Sequence, residues 1–341
     1  MSTIRISGTL NLASIWNLGK SDADTLNIAV AAVQWRPATG AAWLPVTTAL
    51  AGAYIAGKGG VQYPVFDGGK ITVRLQGIDA PELHNRPQRP PAAWKPTPAQ
   101  LAAFAAANKE YRQPLGETCA AALLGLLRPF ADAGGVARCQ AVSEVGGLED
   151  LFDMYGRAVA EVIAVGGRRR LNINRKLVEN GLAFPALYNS MSAEEIAAIQ
   201  AAAAKARRKN LGIWRHYAQH VGIDGFNPAL VFRKQPAFVE NSDAGPVVFP
   251  KFFRRQCSFW AYTQAGLPVP AAYADYLRQT KDNFFFAAEL PPPGSTAKPV
   301  KRFLYQQLDD AGNFTTAPEN VVFYERPSTL KAADGKNLKG F

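Results

Sequence analysis

The chain has 341 residues, of which 48% are hydrophobic, and a formal net charge of +11 at pH 7. This length accommodates one large core or two ordinary domains, and the positive charge favours an anionic partner such as nucleic acid. Three widely spaced cysteines without a CxxC pair argue against a zinc site and favour a reducing compartment. No apolar run approaches the roughly 18 residues that a membrane span requires.

The N-terminal part alternates apolar and polar residues, which predicts strands over residues 4–18 and 24–34. No basic stretch followed by an apolar run precedes them. We therefore expect no signal peptide, and either a cytoplasmic location or export by a signal-independent route. Residues 36–60 are rich in Pro and Gly and are interpreted as an insertion outside the core. Residues 61–78 predict a hairpin that turns at Asp67 and Gly68.

A second interruption covers residues 83–112, where closely spaced prolines predict an extended surface loop with a short helix over 102–112. Strands are predicted over residues 136–142 and 157–165. Three helices are predicted as well. They cover residues 116–130, residues 171–181 with Asn172 as N-cap and Gly181 at the end, and a segment that starts at a Ser192–Glu195 capping box and precedes the sequence LGIW.

Five short strands with helices between and after them predict an α+β fold, a five-stranded OB-fold barrel with three helices, over residues 1–217. Residues 218–341 are richer in Phe, Tyr and Pro and predict an accessory domain of unknown fold, which binds substrate or a partner. Within it, residues 289–299 indicate a linker or loop. Residues 249–266 mix Arg254 and Arg255 with aromatic side chains, a pattern that favours a folded core with a basic edge over nucleic-acid contact.

Acidic residues occur at two places that the predicted strands bring near each other. Asp79 and Glu82 follow one strand, and a turn before another strand holds the other two, Asp22 and Asp24. If these acids meet, a hard divalent cation is the simplest counter-charge, and with only His84 in reach Ca²⁺ or Mg²⁺ is favoured over zinc. Taken singly, the first pair suits a solvated strand end and the second an ordinary turn.

Two arginines would complete such a site. Arg74 precedes Asp79 by five residues and reaches the same pocket if the strand twists or bulges. Arg157 starts another predicted strand. A guanidinium fork matches two phosphate oxygens, and a cation, an acid and two arginines are what phosphodiester cleavage needs. Each arginine alone is equally compatible with a surface ion pair.

Taken together, these segments resemble the staphylococcal-nuclease-like, or thermonuclease, family. The segments are SDADT, VRLQGIDAPE, DMYGRAVAEV, KLVENGLA and AAAAKARRKNLGIW, in this order. The resemblance covers about residues 5–217 and is interrupted by the 36–60 insertion and the 83–112 loop. It implies an oligonucleotide-binding barrel with three helices and a Ca²⁺-dependent phosphodiesterase, an endonuclease that acts on DNA and RNA.

The resemblance also implies roles for the acids. Asp24 and Asp79 correspond to metal-binding carboxylates, and Ala80 corresponds to the residue whose backbone carbonyl binds the metal. Ala80 replaces the usual threonine, which a main-chain ligand tolerates. Asp22 would support these ligands, and Glu82 resembles the carboxylate that activates water.

The remaining implied residues would bind the substrate. Arg74 and Arg157 resemble the two phosphate-binding arginines. Tyr155 and Tyr188 resemble tyrosines near the terminal phosphate and the base. Met154 stands where a lysine is common, a departure that puts terminal-phosphate binding in question.

The 83–112 loop carries Arg86, Arg89, Trp94 and Lys95, which either lengthen the nucleic-acid track by charge and base stacking or belong to a disordered linker. His216 and His220 stand at helical spacing, where a plain helix surface is favoured over a metal site.

The leading hypothesis is thus a metal-dependent nuclease of DNA, RNA or both, which cleaves by in-line water attack. One alternative is a catalytically silent OB-fold scaffold that binds nucleic acid. Another is a nuclease toxin or defence effector whose residues 218–341 act as a targeting domain or bind a protein partner.

Overall fold

A computed structural model describes residues 1–15, 22–40, 42–57, 60–222, 227–231, 243–292, 295, 297–326 and 328–338. The end of the first predicted strand, residues 16–18, lies outside the described residues, as do parts of the 36–60 insertion and of the 289–299 segment. No helix in the described part of the chain is both long and apolar enough to cross a membrane.

The described residues form short strands and helices along the whole chain. The strands are β1 (Ser2–Asn11), β2 (Thr25–Arg36), β3 (Leu44–Pro45), β4 (Tyr54–Ala56), β5 (Gln62–Pro64), β6 (Lys70–Leu75), β7 (Ile78–Asp79), β8 (Val136–Val145), β9 (Ala158–Gly166), β10 (Arg169–Asn172), β11 (Phe184–Pro185), β12 (Leu187–Tyr188), β13 (Asn283–Phe286), β14 (Arg302–Phe303), β15 (Val321–Phe323) and β16 (Leu330–Lys331). The α-helices are α1 (Pro98–Ala107), α2 (Gly116–Leu127), α3 (Ile173–Glu179), α4 (Ala193–Arg208), α5 (Pro250–Gln264) and α6 (Tyr273–Thr280).

Five strands close into a ring in the order β1, β8, β9, β6, β2, because β2 pairs back onto β1. The pairs are antiparallel except β6 with β9, which run parallel with Arg74 opposite Val159. Side chains alternate between buried and accessible along β8 and β9, as expected for strands with one face on the core. The predicted mixture of helices and strands is confirmed, and the ring brings the end of β6 beside the starts of β2 and β9.

The helix caps follow the local sequence. Ser192 and Glu195 form the predicted capping box at the start of α4, and Asn172 caps α3 by accepting a hydrogen bond from the backbone N–H of Arg175 at 3.0 Å. The helix expected over residues 102–112 instead spans α1, because Thr97 caps its first turn through Gln100. Helix starts are thus specified by side chains a few residues apart.

The predicted hairpin over residues 61–78 is wrong in its pairing. The turn at Asp67 is present, with Asp67 N–H donating to Lys70 O at 3.0 Å. However, β5 pairs with β4, whereas β6 pairs with β2 and β9. The partner of β5, strand β4, lies in the expected insertion, residues 36–60. This segment also contributes the buried Leu50 and Ile55, at 0% and 1% exposure. A segment interpreted as peripheral is therefore part of the core.

The described residues after 217 pack against the first part of the chain. β15 pairs with β12, β16 pairs with β4, and the buried apolar residues of both parts belong to one hydrophobic cluster. Phe249, at the start of α5, lies 5.8 Å from Phe184 between ring centroids. Hydrogen bonds add to this contact, since Thr118 N–H donates to Asp243 Oδ2 at 3.0 Å. The division into two domains at residue 217 stays a prediction.

Candidate active site

A turn between β6 and β7 brings Arg74 onto Asp79. Gly77 in this turn has φ +77°, a conformation that glycine adopts without a steric penalty, and a Cβ there would lie 2.8 Å from Met191 Cε. Arg74 Nη2 donates to Asp79 Oδ1 at 2.5 Å. A twist or bulge of the strand was expected to give this contact, and the turn has that effect.

Asp24 lies just before β2 and faces the same guanidinium. Its Oδ1 is paired with Arg74 Nη1 and also accepts from Thr25 Oγ1 at 3.0 Å. Its Oδ2 accepts from the backbone N–H of Ala80 at 2.7 Å. Asp24 and Asp79 are only 1% and 2% exposed. The two acids, 55 residues apart in sequence, thus share one counter-charge, the half-buried guanidinium of Arg74.

The loop that follows β7, which contains Glu82, is held by Asp22 and Gln113. Asp22 Oδ1 accepts from the backbone N–H of Leu83 at 2.7 Å. The Glu82 backbone is fixed from the other side, because Gln113 N–H donates to Glu82 O at 2.7 Å. Gln113 Nε2 in turn donates to Val248 O at 2.5 Å, which links this loop to the C-terminal part of the chain.

A second guanidinium, from the C-terminal part, reaches the same acids. Arg254 on α5 donates through Nη2 to Asp79 Oδ2 at 2.8 Å and through Nη1 to Asp79 Oδ1 at 3.1 Å. Its Nη1 also forms an ion pair with Glu82 Oε1. The sequence predicts a basic edge in this segment but does not assign Arg254 to the site.

Burial and charge act in opposite directions on these groups. Burial raises the pKa of Asp22, with Glu82 and Asp24 adding to the effect, and burial together with Asp79 and Asp24 raises the pKa of Glu82 despite Arg254. For Asp79 burial also raises the pKa, but Arg254 and Arg74 outweigh it and hold the pKa well below its usual range. Burial and mutual repulsion thus favour the neutral forms of Asp22 and Glu82, whereas the two guanidinium groups favour the ionised form of Asp79.

These groups form the floor and walls of an open cavity of about 630 Å³. Asp22, Arg74 and Glu82 line it, whereas Asp24 and Asp79 lie beneath its surface. Other lining side chains come from the C-terminal part: Lys251, Arg254, Arg255, Asp282, Tyr324 and Arg326. The cavity is therefore a cleft with one wall from each part of the chain.

Arg157 lines the same cleft but has a different partner. It follows the turn after Asp153, and its Nε and Nη2 lie 2.8 and 2.7 Å from Asp153 Oδ2. The guanidinium carbon lies 5.5 Å from the ring centre of Tyr155. Binding of a phosphate by Arg157 would therefore replace a solvent-accessible ion pair, a contact that costs little to break.

Tyr155, Tyr188 and Arg86 also line the cleft. Tyr155 is 41% exposed, and its hydroxyl accepts a hydrogen bond from Gln88 Nε2 at 2.8 Å. Burial raises the pKa of Tyr188, and Asp79 adds to the shift, so this phenol remains neutral near the acids. The cleft thus carries exposed aromatic and basic groups beside its acidic floor.

Other candidate residues lie elsewhere. Arg89 and Trp94 are outside the lining of this cleft, and the Trp94 ring packs on Tyr262 with centroids 5.2 Å apart. His216 ends a 3₁₀ turn and His220 forms an isolated bridge with Asn313, so the helix surface predicted for them is wrong. Within the described ranges, no three His, Cys, Asp or Glu side chains form a group that holds a metal ion.

The donor chemistry nevertheless fits a hard cation. The acids that meet here offer carboxylate oxygens, which suits Ca²⁺ or Mg²⁺. A divalent ion would also relieve the mutual repulsion that raises the pKa of Asp22 and Glu82. In the arrangement observed, both oxygens of Asp79 are engaged by arginines.

Residues 72–216 match the family model described as staphylococcal nuclease homologue. This segment is a staphylococcal-nuclease-like domain. Comparison with curated proteins gives no match for the chain. The matched segment contains Asp79 and Glu82, whereas Asp24 and Arg254 lie outside it. The acidic site of the nuclease-like domain is therefore completed from both sides of the matched segment.

The nuclease-like domain thus has a second cleft wall that sequence reasoning missed. Residues 249–266 carry the signal of an amphipathic helix, with buried Phe252 and Phe253 beside Arg254 and Arg255. That pattern predicts a buried face and a basic edge. It contains no information on which site the basic edge faces, because that depends on how α5 packs on the rest of the chain.

Lys251 makes the charge of this wall depend on pH. Burial, together with Arg254 and Arg255, lowers its pKa to about 8 against the opposing effect of Asp282. Its ammonium is therefore lost as the pH rises through about 8. We expect the affinity for a short oligonucleotide, measured by fluorescence anisotropy in the presence of EDTA, to fall about fivefold between pH 7 and pH 9.

The matched control for this prediction is Lys251→Arg, which keeps the positive charge at both pH values. The variant is expected to bind with nearly the same affinity across this range. An equal fall in affinity for the wild type and the variant would contradict the assignment of the pH dependence to Lys251.

Proposed function

We propose that the chain is a metal-dependent nuclease that hydrolyses phosphodiester bonds of DNA, RNA or both by in-line attack of water. The supporting observation is that Asp24 and Asp79 pair with Arg74, and Glu82 with Arg254, at the floor of a basic and aromatic cleft. Hydrolysis of a phosphodiester needs acids and positive charge at one place. We also propose that the five-strand ring is an OB-fold barrel.

The proposed cation is Ca²⁺, with Mg²⁺ as the alternative. Asp24, Asp79 and the backbone carbonyl of Ala80 would hold it, and Asp22 would support them through the Leu83 backbone. A bound ion would polarise the phosphoryl group. The fit rests on the carboxylate oxygens and on the repulsion between the acids, which a divalent ion would relieve.

The chain's own residues have distinct roles in this proposal. Glu82 lines the cleft and takes the proton of the attacking water, for which its raised pKa brings it nearer to neutral pH. Arg74 and Arg157 neutralise charge on the phosphate as it builds up. Arg157 leaves Asp153 to do so.

The substrate strand would follow the cleft. Exposed Tyr155 and half-buried Tyr188 provide faces for base stacking, and Arg86 provides backbone charge. We propose that residues 218–341 act as an accessory part that forms the second wall. No base-specific contact is implied, so both DNA and RNA fit the proposal.

One observation favours a second candidate function, a binding module without catalysis. Arg74 and Arg254 already engage Asp24, Asp79 and Glu82. A site closed in this way would bind nucleic acid through its basic walls and would not turn it over. Salt-dependent binding without cleavage is the result that this function predicts.

The deciding experiment incubates the purified protein with labelled single-stranded DNA and RNA in Ca²⁺, in Mg²⁺ and in a chelator. We expect cleavage in the presence of metal, none with chelator, and loss of cleavage in Asp79→Ala prepared in parallel. Cleavage that is absent in metal, or equal in the wild type and Asp79→Ala, would contradict the proposal.

A further inference from the structure

Arg254 contacts Asp79 and Glu82 in the way that a bound metal cation would. Its two terminal nitrogens lie 2.8 and 3.1 Å from the two oxygens of Asp79, and one of them also contacts Glu82. A single positive group thus bridges the carboxylate assigned to metal binding and the one assigned to water activation. Charge-assisted contacts of this two-pronged kind are among the strongest hydrogen bonds in proteins.

The backbone that presents Arg254 is firmly held. Phe252 and Phe253 on α5 are fully buried, and Gln256 Nε2 donates to Val221 O at 2.5 Å. The next residue, Arg255, makes its own two-pronged contact with Asp282 through Nε and Nη2, each at 2.6 Å. The position of Arg254 is therefore a fixed feature of the fold, and movement is left to its side chain alone.

The side chain of Arg254 is the more displaceable of the two arginines. Its side chain is 34% exposed and lines the cleft, whereas that of Arg74 is 16% exposed and is also paired with Asp24. Both Asp79 oxygens accept from guanidinium groups, so a metal ion gains access to Asp79 only when one of these groups withdraws. Arg254 is the group with the greater access to solvent.

We propose that Arg254 is a resident counter-ion of the acidic site, which a divalent cation has to displace from Asp79 and Glu82. The inference rests on the proposed function, since it takes Asp79 as a cation ligand. Arg254 is thus a positioning residue. It holds the two carboxylates together before the cation arrives, and it lowers the apparent affinity for that cation by competing for the same oxygens.

The test measures cation binding directly, without turnover. Arg254→Gln is compared with the wild type by calorimetric titration with Ca²⁺ and by sensitised Tb³⁺ luminescence. The variant is expected to bind at least about tenfold more tightly, because a unit positive charge within a few ångströms of the ion has been removed. Arg254→Lys keeps the charge without the two-pronged contact and is expected to have an intermediate affinity.

Arg302→Gln is the matched control. Arg302 makes a comparable two-pronged contact with Glu289, at 2.6 and 2.7 Å, with a side-chain exposure of 25%, and it lies outside the lining of the cleft. Its replacement is expected to leave the cation affinity unchanged. If Arg254→Gln does not fold, as judged by circular dichroism, the comparison of Arg254→Lys with the wild type decides.

The outcomes separate this inference from the proposed function. Tight cation binding by the wild type, with no gain in either Arg254 variant, overturns the role of Arg254 and leaves the metal site standing. Weaker binding in the variants would show that Arg254 supports the site, and overturns the inference as well. Absence of cation binding in the wild type and in all variants overturns both proposals.

Discussion

Replacement of Glu82 by glutamine is expected to lower kcat for phosphodiester cleavage by about 10²- to 10⁴-fold, the range for loss of a general base. Glutamine has nearly the same shape and still offers an oxygen to Arg254, but it does not take a proton from water. The measurement is steady-state cleavage of a fluorogenic single strand at saturating substrate. KM should change little, because the two arginines proposed to bind phosphate are retained.

The pH profile gives a second readout for the same group. Burial and the neighbouring Asp79 and Asp24 raise the pKa of Glu82, so its carboxylate is present only above a pKa that exceeds the usual glutamate value. The rising part of the wild-type pH–activity profile should therefore lie at higher pH than an ordinary glutamate would give. The residual activity of Glu82→Gln should not show this rise.

Glu144→Gln is the control for this experiment. Glu144 is an exposed residue of β8 outside the lining of the cleft, so its replacement should leave kcat unchanged. Both variants are checked by thermal unfolding, because a misfolded protein would also lose activity. A less than tenfold loss in a folded Glu82→Gln protein would contradict the role of Glu82 as base.

Replacement of Phe249 by alanine is expected to lower the free energy of unfolding by about 3–5 kcal/mol, the usual cost of removing a buried aromatic ring. The Phe249 side chain is 1% exposed. Its ring centroid lies 6.3 Å from that of Phe314, 6.0 Å from that of Phe323 and 5.8 Å from that of Phe184. A cavity at this point would remove contacts with the first part of the chain and with the C-terminal part at once.

The same variant tests how the two parts of the chain are coupled. Phe184 belongs to β11, which pairs with β7 at Asp79, so loss of the Phe249 ring should also loosen the acidic site. Urea unfolding is followed by circular dichroism, and one shared transition is expected for the whole protein. Phe303→Ala, at a half-buried ring stacked on Tyr305, should cost clearly less.

Two results would contradict this coupling. One is a loss below about 1.5 kcal/mol in Phe249→Ala, the level of a well-tolerated core exchange. The other is a separate transition for residues 218–341 that leaves the nuclease-like domain unaffected, as an independent accessory domain would show. Either result would favour the division at residue 217.

Much of the site was predictable because its residues stand in a recognisable local order. Asp79, Glu82 and Arg74 lie within nine residues of one another, and Asp22 and Asp24 within three. Strand alternation and turn residues suffice to put each group at a strand end. The resemblance to staphylococcal nuclease then joined the two groups, and residues 72–216 match that family.

Other features were not predictable for a physical reason. The pairing of β5 with β4 was missed, because a strand pattern specifies which face is apolar and not which strand lies beside it. The ion pair of Arg157 with Asp153 was also missed. It competes with the phosphate contact proposed for Arg157. His216 and His220 were placed on a helix because spacing alone does not show where a helix ends.

The local sequence therefore specifies the helix caps, the turns and the two acidic segments, since these depend on side chains a few residues apart. It does not specify that Arg254, 175 residues after Asp79, closes the site. That contact arises from the packing of the apolar face of α5 into the shared core, which orients the opposite, basic edge toward the acids. This ion pair joins residues that are distant in the chain. The sequence of either segment alone therefore does not predict it.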